Sequence, residues 1–502
     1  YTRRIRYVFL DRGGYVAIAK RYRTYAKTIG LFKTLEQKRN ENPNVDLLIG
    51  AVNVWSYENP PATVREMKSA GIDRALWSGQ PDAWPYAGVR ETNEMGVLTS
   101  RYDCYQDVMN PENFKFLIGV HPCWATEAWP KDIMIDSNGD WIRGWAVKGR
   151  DGQWYHCGVL SDRQALTYAK GRISDELKTY PYRARFVDTT TASPWREDYS
   201  SDHPMTRSES RYWRTELLQF VSQDMRLVTG SETGHDAAVP YVHYFEGMLS
   251  LVPYRGPDAG WNLWQVENKV PELVAKFQVG YQYRLPLWEL VYHDCVVSHW
   301  FWDDYSNKFP TLWDKRDLFN ALYGTPPMFL FDRRIWVENQ ARFVKSYKNI
   351  CPIARAVGYS EMVDHRFLTS DRSVQQTAFA NGVSVTVNFG SAPYSLADGT
   401  GIAPMGFAIR NQAARTQNPT SSSTTITSTI TKASWTSTTY AFTTSFPLHL
   451  NSTTRTIVST SSLPTTSRGL GHARPLRTAQ QPRAHSNASR LHRHCTRLNS
   501  TL

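Results

Sequence analysis

Short runs of buried character alternate with amphipathic stretches along the first 350 residues. Leu47-Leu48-Ile49-Gly50-Ala51-Val52-Asn53-Val54-Trp55, Ile72 to Trp77, Gly96 to Asp103, Ala184 to Asp188, Leu227 to Glu232, Leu285 to Val291 and Pro327 to Phe331 each carry a strand's worth of apolar residues. Their near-continuous hydrophobicity suits strands covered on both faces. Between them lie helical patterns with start signals: Thr63-Val64-Arg65-Glu66 and Thr206-Arg207-Ser208-Glu209 have capping-box spacing, and Ser161-Asp162-Arg163-Gln164 opens a helix carrying Leu166, Ala169, Ile173 and Leu177 on one face. The helix after Thr206 carries Trp213, Leu217, Phe220 and Val221. Strand and helix in repeated alternation predict a parallel sheet. Seven candidate strands fit a (β/α)8 TIM-like barrel over residues 46–350 with one strand unplaced, and an open doubly wound sheet stays as the alternative.

Residues 1–45 read as a lead-in strand (Ile5 to Leu10) and a helix from about Tyr15 to Gly30. A long excursion at 104–160 interrupts the barrel, and its Asp136-Ser137-Asn138-Gly139-Asp140 reads as a hairpin turn. A calcium loop is the sharper reading of that run, but it lacks EF-hand spacing and a terminal Glu. From about 351 the period changes to two. Val374 to Phe379 and Val383 to Phe389 flank Asn381-Gly382, a hairpin signal, which predicts a small antiparallel β-domain over 351–412. Residues 413–502 are Ser/Thr-rich, then Arg/His-rich, and aperiodic, so disorder is expected there.

Charge changes the picture only once it is divided. Of the net +12, ten positive charges come from residues 411–502, which contain no Asp or Glu, and +2 remains on the first 410 residues. A nucleic-acid binder would need a basic stripe on the folded part, so no nucleic-acid partner is expected. No apolar run reaches the length of a membrane span. The six cysteines (Cys104, Cys123, Cys157, Cys295, Cys351, Cys495) show no metal-ligand spacing. They fit one or two disulfides or buried free thiols equally, and no cofactor or metal is expected. The chain opens on Tyr1 rather than Met, which leaves room for a lost signal peptide, and an extracellular or secretory setting is expected.

The chemistry lies at two strand ends. Ala184-Arg185-Phe186-Val187-Asp188 finishes on one acid, and Val228-Thr229-Gly230-Ser231-Glu232 delivers another one capped helix later. In parallel α/β barrels the carboxyl ends of the strands build the active site. Two carboxylates facing one pocket are the minimum for cleaving a glycosidic bond. The competing structural roles are a helix N-cap for Asp188, ahead of Thr189-Thr190, and a surface-loop acid for Glu232. Gly230 and Gly234 leave space around the second acid. The 18 Trp, 27 Tyr and 20 Phe serve chiefly as core, with strand-end members suited to sugar faces. On that basis Trp55, Trp77, Arg101, Asp103, His293, Asp294, Trp302 and Asp303 are candidate substrate-binding residues. His121 and His235 are better read as hydrogen-bonded structural histidines.

The segments Tyr15 to Arg23, Gly50 to Trp55, Phe186-Val187-Asp188-Thr189-Thr190, Gly230-Ser231-Glu232-Thr233-Gly234, Leu290 to Asp294 and the Asn381-Gly382 hairpin resemble the glycoside hydrolases related to endo-α-N-acetylgalactosaminidases and their exo-acting cousins. The resemblance spans residues 1–390. It implies a catalytic barrel that follows a β-sandwich, so that the start at Tyr1 looks like a fragment lacking its upstream domain. It also implies retaining catalysis, with an Asp nucleophile after the fourth strand (Asp188) and a Glu acid/base after the fifth (Glu232). A retaining glycosidase acting on a glycan or glycoconjugate is therefore the leading expectation. A carbohydrate-binding relative that has lost turnover is the alternative. Sugar identity, anomeric configuration and oligomeric state are not set by these residues.

Overall fold

The computed structural model describes residues 5–411 except 57, 80–85, 248–253, 255, 257–264, 300–304 and 331, together with the backbone of 426–429 and 456–458. The chain divides into two compact units. In the smaller, drawn from residues 1–18 and 441–502, Arg6–Val8 pairs antiparallel with Thr456–Val458.

The larger unit, residues 19–440, is built on eight parallel strands. They are β1 (Val52–Trp55), β2 (Ala75–Gly79), β3 (Leu98–Cys104), β4 (Ala184–Asp188), β5 (Val228–Glu232), β6 (Tyr244–Glu246), β7 (Val297–Ser298) and β8 (Met328–Leu330). Each pairs with its successor from β1 to β7, and β8 pairs with β1 through Met328 to Asn53 and Leu330 to Trp55. This is the TIM-like barrel. Its one pair of neighbours not joined by a described backbone ladder is β7 and β8.

Side chains alternate across every strand, and the alternation separates two cores. Trp55, Leu76, Leu98, Ala184, Phe186, Val228, Tyr244, Met328 and Leu330 fill the interior. Val52, Val54, Ala75, Trp77 and Phe329 face outward, where they pack with Val64, Met67, Trp336 and Phe343 of the surrounding helices. Gly230 is required by the interior packing. A Cβ there would lie 2.0 Å from the Tyr244 ring, so the glycine makes room for a core tyrosine, whereas its position near Glu232 predicts space around that acid.

Several elements differ from expectation. Leu287–Tyr292 is a helix, and the sixth and seventh strands are the short Tyr244–Glu246 and Val297–Ser298. An apolar run of this length fits either state, and here Pro286 precedes the first helical turn. Val45–Leu48 is also helical, with β1 starting only at Val52. Thr63 does not cap its helix, which begins at Pro60 after Asn59. Thr206–Glu209 does form the reciprocal box, and an unexpected second box, Thr34–Gln37, starts the helix Leu35–Glu41. That helix inserts the buried Lys38, whose Nζ donates to the carbonyls of Val239, Val242 and Cys295 at 2.6–2.7 Å.

The insertion after β3 forms a three-stranded antiparallel sheet from Asp107–Val108, Trp154–Val159 and Arg143–Lys148. Asp136–Asp140 is its tight turn: Ile135 bridges Trp141, and Asp136 Oδ1 accepts from the Asn138 and Asp140 amides. After the long helix Arg333–Val357, an antiparallel sheet runs in the order Met362–Phe367, Val374–Phe379, Val383–Asn388, Gly406–Asn411, Ile426–Thr429. The tail, expected without structure, thus supplies an edge strand at 426–429 and the strand at 456–458; its other residues beyond 411 lie outside the description. Cys104, Cys123, Cys157, Cys295 and Cys351 are buried free thiols. Among the described residues no helix is long and apolar enough to cross a membrane.

Candidate active site

Asp188 and Glu232 are the last residues of β4 and β5. Asp188 shares the interior-facing parity of Ala184 and Phe186, and Glu232 that of Val228. Both carboxylates therefore point into the barrel at its carboxyl-terminal mouth. No helix follows Asp188: Thr189 takes a positive φ of 58°, and the next helix starts at Arg207. The N-cap role is thereby excluded. A left-handed β-branched residue is strained, and this one is held by short bonds. The Thr189 hydroxyl and the Thr190 amide both donate to the Asp188 carbonyl at 2.7 Å, and the Thr191 hydroxyl donates to Ser231 Oγ at 2.9 Å.

Tyr102 on β3 donates its hydroxyl to Asp188 Oδ2 at 2.7 Å. Burial pushes the Asp188 carboxyl up from its ordinary value, while hydrogen bonding from Tyr102 and Glu232 pulls it back. Burial, and then the Asp188 charge, hold the Tyr102 hydroxyl neutral far above neutral pH. Two carboxyl groups in hydrogen-bonding reach share a proton instead of both ionising.

A third acid completes the cluster and was not anticipated. Glu246 ends β6 opposite Glu232 in the ladder and is fully buried. It accepts from Asn53 Nδ2 at 2.6 Å and from Trp55 Nε1 at 2.9–3.0 Å. Burial pushes it up to about 8, against the pull of those donors and with the Asp188 charge adding to the rise. Tyr102 faces the interior, whereas its neighbours Arg101 and Asp103, the residues expected at the site, are one residue out of phase with it.

Those two neighbours face outward. Asp103 pairs with Arg185 at 2.5 Å and Arg172 at 2.7 Å, and accepts from Tyr105. Arg101 and Arg185 both reach Glu176 on the helix Asp162–Thr179. This is a buried ion network between sheet and helix, away from the acids. Trp77 is likewise outer core. His293 and Asp294 follow the helix Leu287–Tyr292 and precede β7, at the opposite end of the barrel. Asp294 pairs with Arg23 at 2.7 Å, and His293 bonds the Ser360 carbonyl and packs on Phe379. Of the described candidates only Trp55 lies with the acids. Its ring meets Phe186 and Tyr102 edge-on at 5.4 and 6.3 Å. Trp302 and Asp303 lie outside the described residues. Among those described, no group of three or more His, Cys, Asp or Glu gathers to hold a metal ion.

Residues 66–265 and 253–378 match the family described as glycosyl hydrolases related to the GH101 family, GH129. The α-N-acetylgalactosaminidase NagBb of Bifidobacterium bifidum, solved with GalNAc, superposes with a TM-score of 0.57 at 22% identity, covering 76% of this chain and 63% of that one. Its ligand-free form gives a TM-score of 0.56 at 22% identity, over 78% and 64% of the two chains. The chain thus spans less than two thirds of the length of these relatives, and at this identity the likeness is one of fold. No curated protein matches.

Proposed function

The chain belongs to the glycosyl hydrolases related to the GH101 family, GH129, and from that premise we propose that it is a retaining glycosidase with Asp188 as nucleophile and Glu232 as acid/base. The observation that carries this reading is the pairing of two carboxyls on the interior face of adjacent strand ends, one of them bonded by Tyr102. Retaining hydrolysis needs this division of labour. Ionised Asp188 attacks the anomeric carbon as protonated Glu232 donates to the departing oxygen. Glu232, now ionised, then takes a proton from the water that releases the sugar from Asp188. The different environments needed to separate the two pKa values come from Tyr102, which favours the charged form of Asp188. Because the similar bifidobacterial enzyme is named an α-N-acetylgalactosaminidase, the proposed glycone is α-linked N-acetylgalactosamine on a glycoconjugate, met outside the cell or in the secretory pathway.

The test is turnover of nitrophenyl α-N-acetylgalactosaminide. Asp188→Ala should be inactive on every substrate. Glu232→Ala should spare this activated leaving group far better than the roughly 10²–10⁴-fold loss expected where an acid is needed, and azide should restore its second step. NMR of the first-formed sugar should show retained configuration. Equal losses on activated and natural substrates, without azide rescue, would refute the roles. An absence of turnover on any aryl glycoside would leave the chain a binding relative.

A further inference from the structure

Glu246 has no part in the two-carboxylate mechanism, yet it lies in the same layer of the barrel. It is entirely shielded from solvent, and its hydrogen bonds reach across the interior to β1. The Trp55 indole that donates to it also packs edge-on against Tyr102, and Tyr102 in turn holds Asp188. Resting on the assignment of Asp188 as nucleophile, we propose that Glu246 is a positioning residue of the active site: in its neutral form it fixes Asn53 and Trp55 as the floor beneath the sugar, and through Trp55 and Tyr102 it sets the aim of the Asp188 carboxylate.

The surroundings explain why the neutral form is the working one. Asn53 and Trp55 on β1 offer neutral donors. Tyr244, on its own strand, is a phenol that burial and the nearby Glu246 keep protonated. His299 after β7 packs its ring on Tyr244 and is held neutral by burial. The charged or chargeable partners are Asp188 on β4 and Glu232, opposite in the β5 ladder, and both are acids. No cation among the described residues faces Glu246 to stabilise a carboxylate. Burial pushes Glu246 up to about 8. Above that pH a second anion would form near Asp188 on a side chain shielded from solvent, where an unpaired charge is costly. Moving Glu246 away would relieve the repulsion, and Trp55 would move with it.

The experiment uses kcat/KM for a nitrophenyl glycoside whose departure needs no proton from Glu232, so that an alkaline limb does not report that acid. Wild type should decline above about pH 8, and Glu246→Gln, which keeps a neutral acceptor but cannot ionise, should lack that decline. Glu246→Leu, which strands both donors, should lose about 10²-fold in kcat, the order expected when a reacting group is displaced by about 1 Å. Glu246→Gln should recover most of that loss. The proposal is overturned if Glu246→Gln keeps the wild-type alkaline limb, or if folded Glu246→Leu turns over like wild type. Should Glu246→Leu fail to fold, the Glu246→Gln profile decides alone. An active Asp188→Ala variant would instead remove the nucleophile assignment, a failure that reads separately from either.

Discussion

Tyr102→Phe isolates the contact that separates the two proposed catalytic acids. The variant removes one oxygen and keeps the ring against Trp55 and Phe186. What disappears is a 2.7 Å bond donated to the ionised form of Asp188. Hydrogen bonds to charged groups are worth about 1.5–3 kcal/mol net, and one pKa unit corresponds to about 1.36 kcal/mol. Asp188 should therefore titrate about one to two units higher in the variant. The sign follows from which form is favoured: burial already pushes Asp188 up, Tyr102 opposes burial, and removing the opposition raises it further. The nucleophile must be ionised, so the acid limb of kcat/KM should shift upward by those one to two units. The plateau at higher pH should fall much less, because a more basic carboxylate is no worse a nucleophile. At a pH below the limb the variant should be about 10- to 100-fold slower. The assay is a pH–rate profile on nitrophenyl α-N-acetylgalactosaminide. A limb that stays in place while the plateau drops would show that Tyr102 acts on the substrate and not on Asp188.

Asp103→Ala should cost about 3–5 kcal/mol in chemical denaturation by leaving buried arginines uncompensated, with KM of the folded enzyme unchanged. Burial works against the ionised Asp103, but Arg185, Arg101 and Arg172 outweigh it and hold the carboxyl well below the ordinary range. Its folded pKa lies below the unfolded value of about 4. The stability it contributes is therefore complete above that pH and is lost below it, so acid melts should show wild type converging on Asp103→Ala under about pH 4. Gly230→Ala should lower the melting temperature by an amount equivalent to about 1–3 kcal/mol, because the new methyl meets the Tyr244 ring in a filled interior. An unchanged transition would show that the ring can move aside freely.

The strands with long apolar runs and the acids that end two of them were readable because a parallel strand covered on both faces leaves a hydrophobic signature. That same double burial hid which side chains face the interior. In Leu98–Cys104 nearly every position is buried, so no polar and apolar alternation marks Tyr102 as inward and Arg101 or Asp103 as outward. Only pairing with neighbouring strands sets the phase. Glu246 was unreadable for want of length: a three-residue strand, Tyr-Phe-Glu, has no periodicity of its own. The insertion turn at Asp136–Asp140 and the Asn381-Gly382 hairpin were legible because their signals are local. The Leu287–Tyr292 helix is not legible in the sequence because a six-residue segment with five apolar residues and one acid suits either state until tertiary packing chooses.

The closure of β8 onto β1 bears on how the chain is made. Asn53 to Trp55 are synthesised about 270 residues before Met328 to Leu330 and gain this partner only when those have been added. Lys38 waits in the same way for the carbonyls of Val239, Val242 and Cys295. Until then the interior residues of the first strands have no closed barrel to fill, and a nascent half-sheet presents an apolar face and an unpaired edge. Contacts this distant in sequence slow folding and prolong exposure to aggregation. Yield of the folded protein in a cell should therefore depend on chaperone capacity and translation rate more than on the stability of the finished barrel.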